Sequence, residues 1–477
     1  MVFSSTLFLF LFFPITLAVY YLIKPCFRNI FLLIASLIFF AWSQPQYLWI
    51  ILLSVLINYG GGIHIGLTRN LLLKRILLIV IIALNLGLLI YFKYFNFICN
   101  TISQFGKTDI VMDEIVLPIG ISFFTFQGLS YSMDVYKGKT AIQKNPFKLA
   151  LYISLFPQLI AGPIVRYTDV ADEIDHRTFN IDDFTSGICK FTVGLSKKAV
   201  ISNTVAVIVD DIWSRGLGRT SPSLAWLASI AYSLQIYFDF SGYSDMAIGL
   251  GKMFGFHFCE NFNLPYISKS ISEFWRRWHI SLSSWFRDYV YIPLGGNRKH
   301  VYLNLAIVFL LTGIWHGAAW QFIVWGIYHG IFILFERLVR NKKLKTGQNT
   351  ELSHKKGIVL AIGKNLLTLF IVNVGWVLFR AENLAQGFGF ILIMFGFNQG
   401  TPIFTPMWYL TGWNLFIIVL AIIASSIIPE KTNDFIKTHL DNRIYVPLTY
   451  LFTICLLLLS LIRVVAGSYN PFIYFQF

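Results

Sequence analysis

The stretch Ile76-Leu77-Leu78-Ile79-Val80-Ile81-Ile82-Ala83-Leu84-Asn85-Leu86-Gly87-Leu88-Leu89-Ile90-Tyr91-Phe92 holds no charged side chain. It approaches the roughly 20 residues that a helix needs to cross the hydrocarbon of a bilayer. Comparable runs occur at Leu7 to Ile23, Leu415 to Ile428 and Leu448 to Leu461, and on the order of a dozen candidate segments meet the same criterion along the chain. None shows the apolar–polar alternation of a transmembrane barrel strand. Composition agrees. Of 477 residues 56% are hydrophobic and 13% charged, and the mean hydropathy is +0.66. A soluble domain of this length needs about twice that share of charge to coat its core. The expected fold class is therefore an all-α polytopic membrane protein with no separate soluble domain.

Charge sets the expected orientation. The opening Met1-Val2-Phe3-Ser4-Ser5 lacks the basic start of a signal peptide, and Lys24 and Arg28 follow the first run, which places the N-terminus outside. Runs at Ile30 to Trp42 and Tyr47 to Ile65 pair around Gln44-Pro45-Gln46, and Arg69, Lys74 and Arg75 return to the inside. Ile76 to Phe97 leads out to Lys107, Asp109, Asp113 and Glu114, and Leu117 to Val135 leads back to Lys137, Lys139, Lys144 and Lys148. Five runs thus alternate as the positive-inside rule requires. Arg337, Arg340, Lys342, Lys343, Lys345, Lys355 and Lys356 mark a later cytoplasmic loop. The net charge of +15 is accounted for by such loops, not by nucleic-acid binding, and it favours anionic headgroups and anionic cofactors at the inner face. The five cysteines show no CxxC spacing and read as buried small hydrophobes; no metal site is expected. No internal repeat suggests an inverted-repeat transporter.

Between Pro157 and Asn297 apolar stretches mix with Gly, Pro, Arg, Asp and His. Charges and irregular backbone at membrane depth belong against protein or a wet cavity, so this third is expected to hold broken, re-entrant or in-plane helices around one. Glu273 to Tyr289 reads as one helix with Trp275, Trp278, Leu282, Trp285 and Tyr289 on an aromatic face and Arg276, His279, Ser283 and Arg287 on a polar stripe, which suits an interfacial anchor or a cavity wall. In Leu311-Thr312-Gly313-Ile314-Trp315-His316-Gly317-Ala318-Ala319-Trp320 a histidine follows a strongly apolar run. Desolvation there favours a neutral imidazole able to take a proton or attack a carbonyl; the competing reading is a core histidine, with Gly313 and Gly317 serving helix packing. His329 is a weaker candidate of the same kind. Asp239 and Asp245 in Tyr237-Phe238-Asp239-Phe240-Ser241-Gly242-Tyr243-Ser244-Asp245 need partners, expected to be arginines. The prolines of Phe156-Pro157-Gln158-Leu159-Ile160-Ala161-Gly162-Pro163-Ile164-Val165-Arg166 oppose a continuous helix, and Arg166 is a candidate for a phosphate or a carboxylate.

Together with Leu117-Pro118-Ile119-Gly120-Ile121-Ser122-Phe123 and Arg287-Asp288-Tyr289-Val290-Tyr291-Ile292-Pro293-Leu294-Gly295-Gly296-Asn297, these motifs resemble the membrane-bound O-acyltransferase family over nearly the whole chain. More narrowly they resemble its bacterial branch that O-acetylates alginate and other envelope polysaccharides. The resemblance implies one membrane-embedded domain over residues 1–477 with a catalytic core at about 115–390, its helices ringing a tunnel in the inner membrane. It implies catalytic roles for His316, in Trp-His-Gly, and for His279, in Trp-Arg-Arg-Trp-His, with His279 orienting the thioester or stabilising the oxyanion. Arg276, Arg287 and Trp315 become candidates for holding the donor. The donor is expected to be acetyl-coenzyme A or a similar cytoplasmic thioester, no cofactor staying bound. The partner is expected to be a secreted or membrane-anchored acetyltransferase that serves a polysaccharide acceptor. D-alanyl transfer to teichoic acid and a non-enzymatic polysaccharide or lipid flippase are the alternatives.

Overall fold

The computed structural model describes residues 1–106, 114–346, 354–397, 400–467, 469–471 and 473. Lys107, Asp109 and Asp113 lie outside the described residues, as do the side chains of Lys343, Lys345, Lys355 and Lys356. Among the described residues every regular element is a helix. Six helices among the described residues are long and apolar enough to span a bilayer: Pro45–Leu67, Leu71–Gly106, Ile181–Ser214, Trp320–Lys342, Ile358–Arg380 and Asn442–Val465. The pair Gly412–Ala424 and Ile428–His439, bent by 70°, makes a seventh candidate. Phe8–Leu22, Pro25–Ala41, Val301–His316 and Leu384–Met394 are shorter apolar helices. The chain is a polytopic all-α membrane protein.

It forms two compact units, residues 1–195 with 243–260 and residues 196–242 with 261–477. The first holds the alternating runs of the N-terminal third. Asn85, the one polar side chain besides a tyrosine in the run Ile76 to Phe92, is 1% exposed and exchanges its amide with Asn58 of helix Leu48–Leu67 at 3.0 Å. Ser132 adds a bond to Asn58 Oδ1 at 2.9 Å. A polar side chain in an apolar span thus acts as a bond between helices. The tract from Phe156 forms one helical turn, Phe156–Leu159, and then leaves the helix, as its prolines require. The backbone N–H of Arg166 donates to the Asp169 carboxylate at 3.1 Å, starting helix Tyr167–Asp175.

Six helices concern the candidate site: α1 (Pro222–Met253), α2 (Ile271–Arg277), α3 (Ile280–Phe286), α4 (Val301–His316), α5 (Trp320–Thr346) and α6 (His354–Arg380). Apart from the last part of α1, all lie in the second unit. Among the described residues α4 and α5 pack extensively, and glycine makes this contact close. A Cβ on Gly313 would stand 2.4 Å from the Phe322 carbonyl oxygen and 3.1 Å from Gly326 Cα, and one on Gly326 would stand 3.0 Å from Gly313 Cα. A Cβ on Gly317 would meet the Phe322 ring at 2.2 Å. Gly313 thus serves a close helix contact, and Gly317 leaves room for the Phe322 ring. Gly313→Leu is expected to lower the melting temperature of the detergent-solubilised protein through about 1–3 kcal/mol of overpacking. Gly60→Ala, whose Cβ meets nothing within 4 Å, is the neutral control. Equal melting of the two variants would contradict the packing argument.

The buried carboxylate of Asp239 corrects an expectation. Asp239 pairs with Lys198 at 2.6 Å and Asp245 with Lys190 at 3.5 Å. Asp239 is held by a lysine where an arginine is expected, because the helix that runs from Ile181 toward Ser214 presents Lys198 there.

Candidate active site

The sequence expectation of one helix from Glu273 to Tyr289 is overturned at its centre. α2 stops at Arg277, Trp278 is extended (φ −102°, ψ 130°), and His279 adopts the left-handed region (φ 44°, ψ 54°) before α3 begins. The loop at 261–263 takes the bonds that would continue the helix. Asn263 N–H donates to the Arg277 carbonyl at 2.9 Å, Ile280 N–H donates to the Asn261 carbonyl at 2.9 Å, and Ser281 N–H donates to Asn261 Oδ1 at 3.2 Å. Left-handed backbone on a non-glycine residue is costly and persists where its surroundings impose it. The start of α2 is held equally firmly. Ser270 Oγ caps it by accepting from Glu273 N–H at 3.0 Å, and the Glu336 carboxylate of α5 accepts from Ile271 N–H, Ser272 N–H and Ser272 Oγ at 2.5, 2.9 and 2.6 Å.

The aromatic face survives the break: Trp275, Trp278, Leu282, Trp285 and Tyr289 are all buried. Three members of the polar stripe, Arg276, Ser283 and Arg287, line a cavity of about 950 Å³ within the second unit. Lys269, Arg337, Arg340 and Lys364 join them, so six basic side chains stand against the carboxylate of Glu336. The inner wall is apolar and includes Trp275, Leu282, Phe309 and Thr312. Asp288 hydrogen-bonds Arg287 at 2.7 Å and raises its pKa above the ordinary arginine value, so the cation persists at the rim.

His279, the fourth stripe member, departs from the cavity wall. It is fully buried, its ring centroid 4.7 Å from that of Phe240 and 5.8 Å from that of Trp315. Its Nδ1 lies 3.1 Å from Asn261 Oδ1, and its Nε2 has no partner among the described residues.

His316 ends α4, and Gly317 turns the chain away in an extended conformation (φ −166°, ψ 154°). An apolar helix of 16 residues covers about 24 Å, short of the roughly 30 Å hydrocarbon layer. The helix is thus too short to cross that layer by itself. The ring is 4% exposed, boxed by Trp315, Trp325 and Phe379 at 5.0, 5.0 and 5.1 Å. His316 itself is not in the cavity lining; Thr312, one turn earlier on α4, and Trp275 are. Trp275 stands 5.6 Å from Trp325, so one aromatic layer separates cavity wall and imidazole. Trp315 lies between the two histidines, off the cavity wall. His329 of α5 is also fully buried, against Trp325 at 5.0 Å and Trp275 at 5.3 Å, with both ring nitrogens unpartnered among the described residues.

The structure thus brings His279, Trp315 and His316 together and puts Arg276 and Arg287 on the adjoining basic cavity. Asn261 and Glu336 hold the backbone of this site, and the sequence does not single them out. Both act on chain segments distant in sequence, and neither sits in a motif that periodicity reveals.

The model of the MBOAT, membrane-bound O-acyltransferase family matches residues 143–343. Over the full length of both chains the protein is 41% identical to the probable alginate O-acetylase AlgI of Pseudomonas putida. It is 37% identical to the peptidoglycan O-acetyltransferase of Helicobacter pylori, over 83% of this chain and 80% of that protein. A teichoic acid D-alanyltransferase of Bacillus subtilis is 32% identical over 48% of this chain and 61% of its own length. With likeness that runs from end to end, this chain belongs to the membrane-bound O-acyltransferase family, in the branch that contains the alginate O-acetylases.

Proposed function

We propose that this protein transfers acetyl groups for the O-acetylation of a cell-envelope polysaccharide, taking them from a cytoplasmic thioester such as acetyl-coenzyme A. It works in the bacterial cytoplasmic membrane with a secreted or membrane-anchored acetyltransferase partner that places the group on the sugar. The acetyl-transferring relatives match along far more of the chain than the D-alanyl-transferring one, which favours acetyl over D-alanyl. The observation that carries the mechanism is a histidine ending an apolar helix one aromatic layer from a basic cavity.

The cavity has the composition that such a donor requires. Its cations include Arg337 and Arg340, which belong to the stretch read as cytoplasmic by charge, and they suit the phosphates of coenzyme A. Its apolar wall suits the pantetheine arm and the acetyl end. His316 then either removes the proton of the attacking hydroxyl or carries the acetyl group itself before passing it on. Closure by Trp315, Trp325 and Phe379 keeps water from hydrolysing the activated acetyl group.

Arg276→Ala with Arg287→Ala is expected to raise the KM for acetyl-coenzyme A about tenfold, ~1.4 kcal/mol, with kcat within about twofold, because the contact binds donor and transition state alike. Transfer of labelled acetyl from acetyl-coenzyme A by membrane vesicles measures it. An unchanged KM would remove the cavity from the donor path, and no acetyl transfer by the wild-type vesicles would remove the function.

A further inference from the structure

We infer that Asn261 is a positioning residue that fixes His279 in the tautomer with the proton on Nδ1, so that His279 meets the reactants as a hydrogen-bond acceptor through Nε2. The inference rests on the transferase reading for its purpose, but its structural half stands alone. Ser281 N–H can only donate, and it donates to Asn261 Oδ1 at 3.2 Å. Ser281 Oγ donates to the same oxygen at 2.9 Å. The amide oxygen of Asn261 is therefore the atom that faces His279 Nδ1 at 3.1 Å. An amide oxygen cannot donate, so Nδ1 must carry the hydrogen. A neutral imidazole has one N–H, and here that N–H is spent on Asn261. Nε2 is left as a bare lone pair, buried and unpartnered among the described residues.

The backbone supports the same assignment. Asn261 also accepts from Ile280 N–H through its carbonyl at 2.9 Å, so one residue holds both the strained backbone of His279 and its ring. An anchor of this kind suits a group whose orientation matters more than its contribution to packing. One expectation changes as a result. A neutral His279 cannot stabilise an oxyanion by donation, since it has no hydrogen to offer. What it can do is accept the single hydrogen of the incoming hydroxyl and take that proton as the acetyl group leaves His316, the route in which His316 carries the acetyl group.

The tautomer is read by ¹⁵N NMR of the full-length protein in detergent with labelled histidine, the His279 signals being those lost in His279→Gln. The expected result is a pyrrole-type Nδ1 and a pyridine-type Nε2; the reverse pattern overturns the inference whatever the activity. In cells, Asn261→Ala is expected to lower the O-acetyl content of the envelope polysaccharide about a hundredfold, in line with the cost of losing a tautomer-fixing group. Asn261→Asp, whose carboxylate still accepts from Nδ1–H and Ser281 N–H, is expected to stay within about tenfold of wild type. Asn261→Ala with more than half of wild-type acetylation, or Asn261→Asp no better than alanine at equal membrane abundance, refutes the positioning role. If the alanine variant fails to accumulate, the wild-type spectrum and the aspartate variant decide. A wild-type protein with the expected spectrum but no acetyl transfer would sink the transferase reading and leave the tautomer assignment intact.

Discussion

His316→Ala is expected to abolish polysaccharide O-acetylation while the protein remains in the membrane at its normal abundance. The expected loss is about 10³-fold or more, the upper range for removing a positioned base or nucleophile. The geometry makes the loss specific. His316 is the last residue of α4, and the helix is seated by Gly313 against Gly326, not by the imidazole. Removing the ring vacates a space among three aromatic side chains without disturbing that contact. His279→Ala is expected to be equally inactive. O-acetyl content measured beside an immunoblot of the membrane fraction tests both. A well-expressed His316→Ala strain that acetylates at wild-type levels ends the assignment.

Lys198→Met is expected to have the largest effect on stability. Its Nζ stands 2.6 Å from Asp239 Oδ1, both side chains are 2% exposed, and the Pro471 carbonyl accepts from the same ammonium. The other oxygen of Asp239 accepts from Ile473 N–H at 3.0 Å. Deleting the lysine leaves a carboxylate in an apolar interior with its charge uncompensated, at a cost of about 3–5 kcal/mol. Replacing both, as in Lys198→Met with Asp239→Leu, removes the stranded charge and is expected to recover most of the loss. Thermal unfolding in detergent distinguishes the outcomes. A single variant that melts with the wild type, or a double variant worse than the single, contradicts a stabilising role for the buried pair.

The parts of the fold that are legible in the sequence are those set by local chemistry. Unbroken apolar runs mark the helices, and the boundaries at Gln44 and around Asn70 coincide with proline or capping residues that act over a few positions. The catalytic candidates are singled out by the motifs that resemble the family; the apolar run before His316 by itself leaves a reactive and a core histidine both open. The break at His279 is not legible. Nothing between Glu273 and Tyr289 forbids a helix, and the bonds that end it come from Asn261 and Asn263, more than a dozen residues upstream. The partner of Asp239 differs from expectation for a related reason: apolar surroundings demand a cation, but which cation is decided by which helix passes alongside.

The glycine contact between α4 and α5 has a consequence for handling the protein. Where two backbones touch directly, there is no layer of side chains to slide and no water to release on association; the adhesion is shape and dispersion. Such a seam is indifferent to whether lipid tails or surfactant tails surround it. The seating of His316 at the end of α4 should therefore outlast extraction from the bilayer, even where looser, lipid-facing helices relax.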